Sequence, residues 1–168
     1  MPDHDAVDDL VDQWRRERPD LDGDGLAAMA TIGRLGRIAA LAAPRVERVF
    51  AGHGLRTGEF DVLAALRRAG TPYTLTPSQL SRTLMLSPAA MTHRLDRLDD
   101  LGHVERRLDP ENRRSILVTL TDGGRDLVDR LVTEHVANER DMLAALGPAD
   151  RVAFDDLLRA LLAGLETG

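Results

Sequence analysis

Arginine is the residue through which this chain can do chemistry. All 22 of its basic residues are arginine. Each is a permanent cation whose planar fork of donors suits phosphates, carboxylates and the acceptor edges of bases. Arg94 and Arg97 stand on Pro88–Leu101, where Met91, Leu95 and Leu98 recur at helical spacing. At about 100° per residue, Ala89, Ala90, His93 and Arg97 fall broadly opposite that apolar stripe, with Thr92 on a flank. Small residues followed by Thr, His and Arg suit a helix laid in a major groove, with Arg97 placed to read a base. Arg94 lies only about 70° from the centre of the stripe and should turn back under the helix. Arg113 and Arg114 come at or near the tip of a hairpin, where arginine can enter a minor groove. Arg106 alternates to the same side as Val104 and Leu108, so it points inward among apolar neighbours. Asp61 and Arg68 share a helix face, roughly opposite Phe60, Val62, Leu63 and Leu66.

These side chains need elements that hold them. Thr76 can cap a helix that begins at Pro77, and Gln79 completes a capping box. Ser87-Pro88 repeats the signal eleven residues later, so a second helix starts after a tight turn. Two apolar rows follow, Val104/Arg106/Leu108 and Ile116/Val118/Leu120, joined through Pro110-Glu111-Asn112. Tyr73-Thr74-Leu75 can add a short third strand. The pattern predicts a winged helix-turn-helix lobe over residues 57–121. Its expected DNA-facing residues are Ser78, Ser87, Ala89, Ala90, Thr92, His93, Arg97, Arg113 and Arg114.

Around that lobe the chain reads as helix. Val7, Leu10, Val11 and Trp14 fall at i, i+3, i+4 and i+7 in a short amphipathic helix over 5–18, stopped by Pro19. A long apolar helix spans 26–51, with a bend expected at Pro44. Another opens at Thr57 and ends at Gly70. After Thr121 a helix runs to about Leu146, broken by Gly147-Pro148, and a last helix is rich in leucine. That leucine exceeds what a lone terminal helix needs and suggests a partner surface. The fold class is therefore mainly α with a small β wing, the lobe hanging on an all-helical dimerisation frame (26–51 and 122–166).

Composition removes several classes. There is no cysteine, so disulfides, thiolate metal sites and thiol redox sensing are excluded. The remaining histidines, His4, His53, His103 and His135, lack ligand spacing, and no catalytic triad, phosphate loop or metal cluster is visible. The expectation is a protein that is not an enzyme and uses no cofactor. No apolar run is read as membrane-spanning, and acidic residues follow Met1 where a signal peptide would be basic. A cytoplasmic protein is expected. Net charge is −6, yet Arg67 to Arg114 holds nine arginines against six acids. A weakly basic lobe on an acidic frame fits a sequence-specific binder better than a generic nucleic-acid coat.

The order of elements, with Leu75-Thr76-Pro77-Ser78-Gln79-Leu80, the wing from Asp109 to Arg114 and Leu117-Val118-Thr119-Leu120-Thr121-Asp122-Gly123-Gly124-Arg125, resembles the multiple-antibiotic-resistance regulator (MarR) family. The resemblance covers about Leu26 to Leu165. It implies a homodimer held by its terminal helices, binding a palindromic operator in double-stranded DNA and released by small anionic or aromatic ligands. Asn112 departs from the acidic residue common in that wing. Gln13-Trp14-Arg15-Arg16-Glu17-Arg18-Pro19-Asp20-Leu21-Asp22 is similar to the signature of the family's urate-responsive branch. Carried over by position, that branch implies a ligand site of Trp14, Asp61, Arg68, Arg94 and Arg106 for urate or another purine. The alternatives are the same fold sensing a phenolic or antibiotic ligand, and an architectural DNA binder with no ligand.

Overall fold

The computed structural model describes residues 4–112 and 114–167. Its elements are α1 Ala6–Glu17, α2 Gly23–Ala51, α3 Thr57–Arg68, β1 Thr74–Leu75, α4 Pro77–Thr83, α5 Pro88–Asp100, β2 Val104–Leu108, β3 Ile116–Leu120, α6 Asp122–Met142 and α7 Pro148–Glu166. They divide into two compact units, residues 1–45 and 46–168, with the boundary inside α2.

In the first unit, Asp5 caps α1. Its carboxylate accepts the Val7 N–H at 2.7 Å, and Asp8 accepts the Asp5 N–H at 2.9 Å. Arg34 of α2 reaches back to both acids, at 2.8 Å to Asp5 and 2.5 Å to Asp8. The Arg34 guanidinium, with the Val7 N–H, holds the Asp5 carboxyl down to about 2. Val7 and Val11 bury against Leu26 and Ala30. The expected four-residue stripe is only half right: Leu10 is exposed and Trp14 is 44% exposed. Helix α2 starts at Gly23, ahead of the expected Leu26, because Asp22 accepts the Gly25 N–H at 2.7 Å. Pro44 lies inside the helix without ending it. Contrary to the sequence reading, α2 is long and apolar enough to cross a membrane by length and composition. It carries Arg34 and Arg37 midway, and Arg34 is committed to an ion-pair pair of its own, which suits a helix at a protein surface.

The second unit is the predicted lobe with its flanking helices. Thr76 and Gln79 form the capping box of α4, and the Ser87 hydroxyl accepts the Ala90 N–H at 3.3 Å to open α5. Leu80, Met91, Leu95 and Leu98 are fully buried against α3, whose Val62, Leu63 and Leu66 face the same core. Between α4 and α5 the chain turns through Met85 in the left-handed region, at φ 52°. The sheet is antiparallel in the order β1-β3-β2. The register pairs Val104 with Leu120, Arg106 with Val118 and Leu108 with Ile116, as the alternation predicts. Val104, Val118 and Leu120 close the core, whereas Leu108 and Ile116 run out with the wing and are exposed. Gly124 of α6 lies so close to the His103 carbonyl that an added Cβ would sit 2.0 Å from it. This is where α6 enters the lobe, continuing with buried Leu127, Val128 and Leu131. Helix α6 ends at Met142, short of the expected Leu146. No residue of α7 is buried.

Candidate functional site

Helix α5 presents two different faces. Ala89, Thr92 and His93 are exposed on one side of it, with Ser87 exposed at its cap and Ala90 half-buried. Thr92 donates its hydroxyl to the Pro88 carbonyl at 2.9 Å, leaving oxygen lone pairs outward. Ser78 and Thr92 meet across a groove of about 360 Å³ between the starts of α4 and α5, lined also by Ser81, Arg82 and Pro88. Arg114 is exposed beside the wing tip, where Asn112 accepts its backbone N–H at 3.2 Å. The Asp109 carboxylate accepts the Glu111 N–H, so the turn is braced without an acid at position 112. Arg113 lies outside the described residues. The face so formed can accept phosphates and base edges: small side chains at a helix start, hydroxyls, an imidazole and an arginine beyond.

Arg97 departs from the sequence reading. It does not extend away from the apolar stripe. Its Nη2 donates to the Gly54 carbonyl at 2.8 Å, and its Nε lies 2.7 Å from Glu59 of α3. The expectation treated α5 as an isolated cylinder, and the long side chain instead follows the nearest buried negative charge.

The other face of α5 gathers the expected ligand residues in part. Arg94 turns under the helix as predicted, and its Nη1 donates to the Gly58 carbonyl at 3.2 Å. A Cβ at Gly58 would fall 2.3 Å from the Arg94 guanidinium carbon, so the glycine makes room for the cation. Asp61 sits one turn further along α3, half-buried. Burial pushes its carboxyl above the ordinary range, and Arg94, then Arg68 and His135, pull it back by charge. Among the described residues, no side chain closes an ion pair or hydrogen bond on Asp61. Arg68 is exposed and acts on Asp61 through its field. A cleft of about 250 Å³ opens beside Arg94, lined by Arg56, Gly58, Glu59, Ala90 and His93.

Arg106 is held elsewhere. Its Nη2 lies 2.8 Å from Asp96 and its Nε 2.9 Å from Asp99, both on α5. It fastens the wing to that helix and is not among the charges acting on Asp61. Trp14 belongs to the first unit. Reasoning from sequence missed Gly58 and Glu59. A glycine and a glutamate in the first turn of α3, just ahead of its apolar residues, were the available signal.

Known proteins match this architecture. Residues 53–115, spanning the lobe from the end of α2 to the wing, fit the MarR family profile. The HTH-type transcriptional regulator PecS of Dickeya dadantii is 43% identical over 160 residues, covering 95% of this chain and 92% of PecS. This chain belongs to the MarR family. Sco3205 of Streptomyces coelicolor, a MarR family regulator solved in complex with DNA, superposes with a TM-score of 0.72 at 22% identity. It covers 83% of this chain and 88% of that one, and it supports the fold alone. BpsR of Bordetella bronchiseptica, whose DNA binding is regulated by 6-hydroxynicotinic acid, matches with a TM-score of 0.66 at 28% identity over 77% of this chain and 90% of that one. As a MarR family member, the protein is a DNA-binding transcriptional regulator and not an enzyme.

Proposed function

We propose that the protein is a repressor that binds a palindromic operator as a homodimer and is released by urate or a related purine anion. The observation that carries the ligand reading is the seating of Arg94 of α5 on the Gly58 carbonyl of α3, one turn before the half-buried Asp61 and with Arg68 on the same helix. A half-buried carboxylate with no hydrogen-bonded partner among the described residues stands in the field of two arginines. A flat purine anion can take bidentate donors from Arg94 and set its own charge against Asp61. Arg94 stands on the helix that presents Ala89 and Thr92 on its far side and His93 at the rim of the cleft. A new partner for it therefore acts on the DNA-reading element without an intermediary. The resemblance adds Trp14 as an aromatic stacking surface. It also assigns Arg106, whose ties to Asp96 and Asp99 make it a brace between wing and helix rather than a free anion clamp.

On the DNA side, Ser78, Ser87, Ala89, Ala90, Thr92 and His93 meet the major groove, and Arg113 and Arg114 the minor groove. Dimerisation places the two α5 helices about one helical turn apart, roughly 10 base pairs centre to centre. Its support is the exposed apolar surface of the frame: Ile32, Ile38 and Leu41 on α2, and Val152, Leu157, Leu162 and Leu165 on α7.

Gel-shift titration tests the switch, using a duplex selected by the wild-type protein from a randomised library. Urate should release that duplex with a coupling of about 1–3 kcal/mol. Arg94→Ala should lose the response, and Trp14→Phe should lose it while keeping near-normal DNA affinity. A wild-type urate response in Arg94→Ala rejects the mechanism. BpsR's regulation by 6-hydroxynicotinic acid favours a hydroxylated aromatic acid as the second reading, so that compound belongs in the same titration.

A further inference from the structure

The geometry points to Arg97 as a positioning residue that sets the reading helix through Glu59, and not as a reader of bases. Glu59 is 2% exposed, a fully buried carboxylate in the first turn of α3. One of its oxygens accepts the Arg56 backbone N–H at 2.9 Å. The other lies 2.7 Å from Arg97 Nε, which is at ion-pair distance with its N–H turned off the hydrogen-bond line. A carboxylate so buried needs a cation, and among the described residues Arg97 is the one at ion-pair distance. The same guanidinium donates to the Gly54 carbonyl, in the turn where the chain passes through φ 73° between α2 and α3. Arg97 thus joins α5 to both the turn and the helix behind it. One helical turn earlier, Arg94 rests on the Gly58 carbonyl. Two arginines spaced i, i+3 on α5 therefore sit on successive residues, Gly58 and Glu59, at the start of α3. For Arg97 to reach a base edge, it would have to abandon a buried carboxylate and a carbonyl together.

The consequence is a different kind of defect from that of a base-reading arginine. Losing a base reader relaxes preference at one operator position, and losing a phosphate contact flattens the salt dependence. Losing a positioning residue lowers affinity for all sequences alike, because the whole helix is misplaced. The test uses the full chain, a duplex selected by the wild-type protein from a randomised library, and the set of its single-base variants. Affinities are measured by fluorescence anisotropy at several salt concentrations, below the melting temperature of each variant. Arg97→Ala should lower affinity about tenfold across the whole set, with the ranking of sequences and the salt slope unchanged. Glu59→Gln, which keeps the shape and the backbone cap, should reproduce that uniform loss although Glu59 cannot touch DNA. The double variant should be no weaker than Arg97→Ala, and Arg97→Lys, which still reaches the carboxylate, should recover most of the affinity. Loss of discrimination at one base pair in Arg97→Ala, retained in Glu59→Gln, overturns the proposal. So does additivity of the two substitutions, or unchanged affinity in both.

Discussion

Helices α5 and α7 both carry an apolar stripe and dispose of it in opposite ways. Met91, Leu95 and Leu98 of α5 are buried within their own chain, against α3, α4 and the sheet. On α7 nothing is buried, and Leu157 and Leu165 are 69% and 71% exposed. Apolar surface left in water forfeits about 25 cal/mol per Å², and a contiguous row of it marks an association site. The reading lobe therefore has its core within one chain, whereas the frame leaves exposed the apolar surface that the proposed homodimer would cover. Stability of the lobe should depend on sequence alone, and stability of the frame on concentration.

The largest expected effect strikes the lobe. Leu98→Ala opens a cavity in the core beneath the reading helix and should cost about 2–5 kcal/mol in denaturant unfolding, with the loss independent of protein concentration. A cost below 1 kcal/mol would put α5 in the same class as α7 and erase the contrast. Next comes the frame. Leu157→Glu with Leu165→Glu should leave the circular-dichroism signature of the lobe intact while removing the concentration dependence of melting and weakening DNA binding. The unmutated pair should give a melting temperature that rises with concentration.

A smaller effect belongs to the carboxylate between α3 and α5. The Asp61 carboxyl is raised in the folded chain by burial, so folding favours its protonated form. Ionising it costs stability as pH climbs from the ordinary value of 3.8 through the raised one, and below 3.8 the cost is absent. Asp61→Asn should therefore be more stable than the wild type at neutral pH, with the advantage fading toward pH 3.8. An advantage that grows on acidification would mean that the arginines, not burial, dominate the site. The smallest effect is local to the helix-turn-helix. Met85 is 92% exposed and held at φ 52°, so Met85→Gly should gain about 0.5–1 kcal/mol by relieving a conformation that side chains resist.

The contrast between regions also explains what could be read from the chain alone. The caps at Thr76 and Ser87 were legible because a cap is settled within four residues of sequence. The wing register was legible because alternation admits few pairings. The surface of α7 was legible because its leucines outnumber any use one helix has for them. Arg97 was not legible: its partner Glu59 lies on another helix, and a helical wheel places a side chain by angle without seeing what is packed beside it. Arg106 was read correctly as inward-pointing, but its acids, Asp96 and Asp99, lie on the polar side of the α5 stripe, where they had been given no role. The exposure of Leu10 and Trp14 shows the same limit. Periodicity says which residues share a stripe, and only the packing says how much of it is covered.

Sedimentation velocity on the protein with a duplex selected from a randomised library tests the division between lobe and frame most directly. The protein alone at micromolar concentration should sediment as a dimer, and the complex should hold two chains on one duplex with half-sites about 10 base pairs apart. The Leu157→Glu, Leu165→Glu variant should sediment as a folded monomer. A wild-type protein that stays monomeric, and binds one half-site with undiminished affinity, would contradict the account.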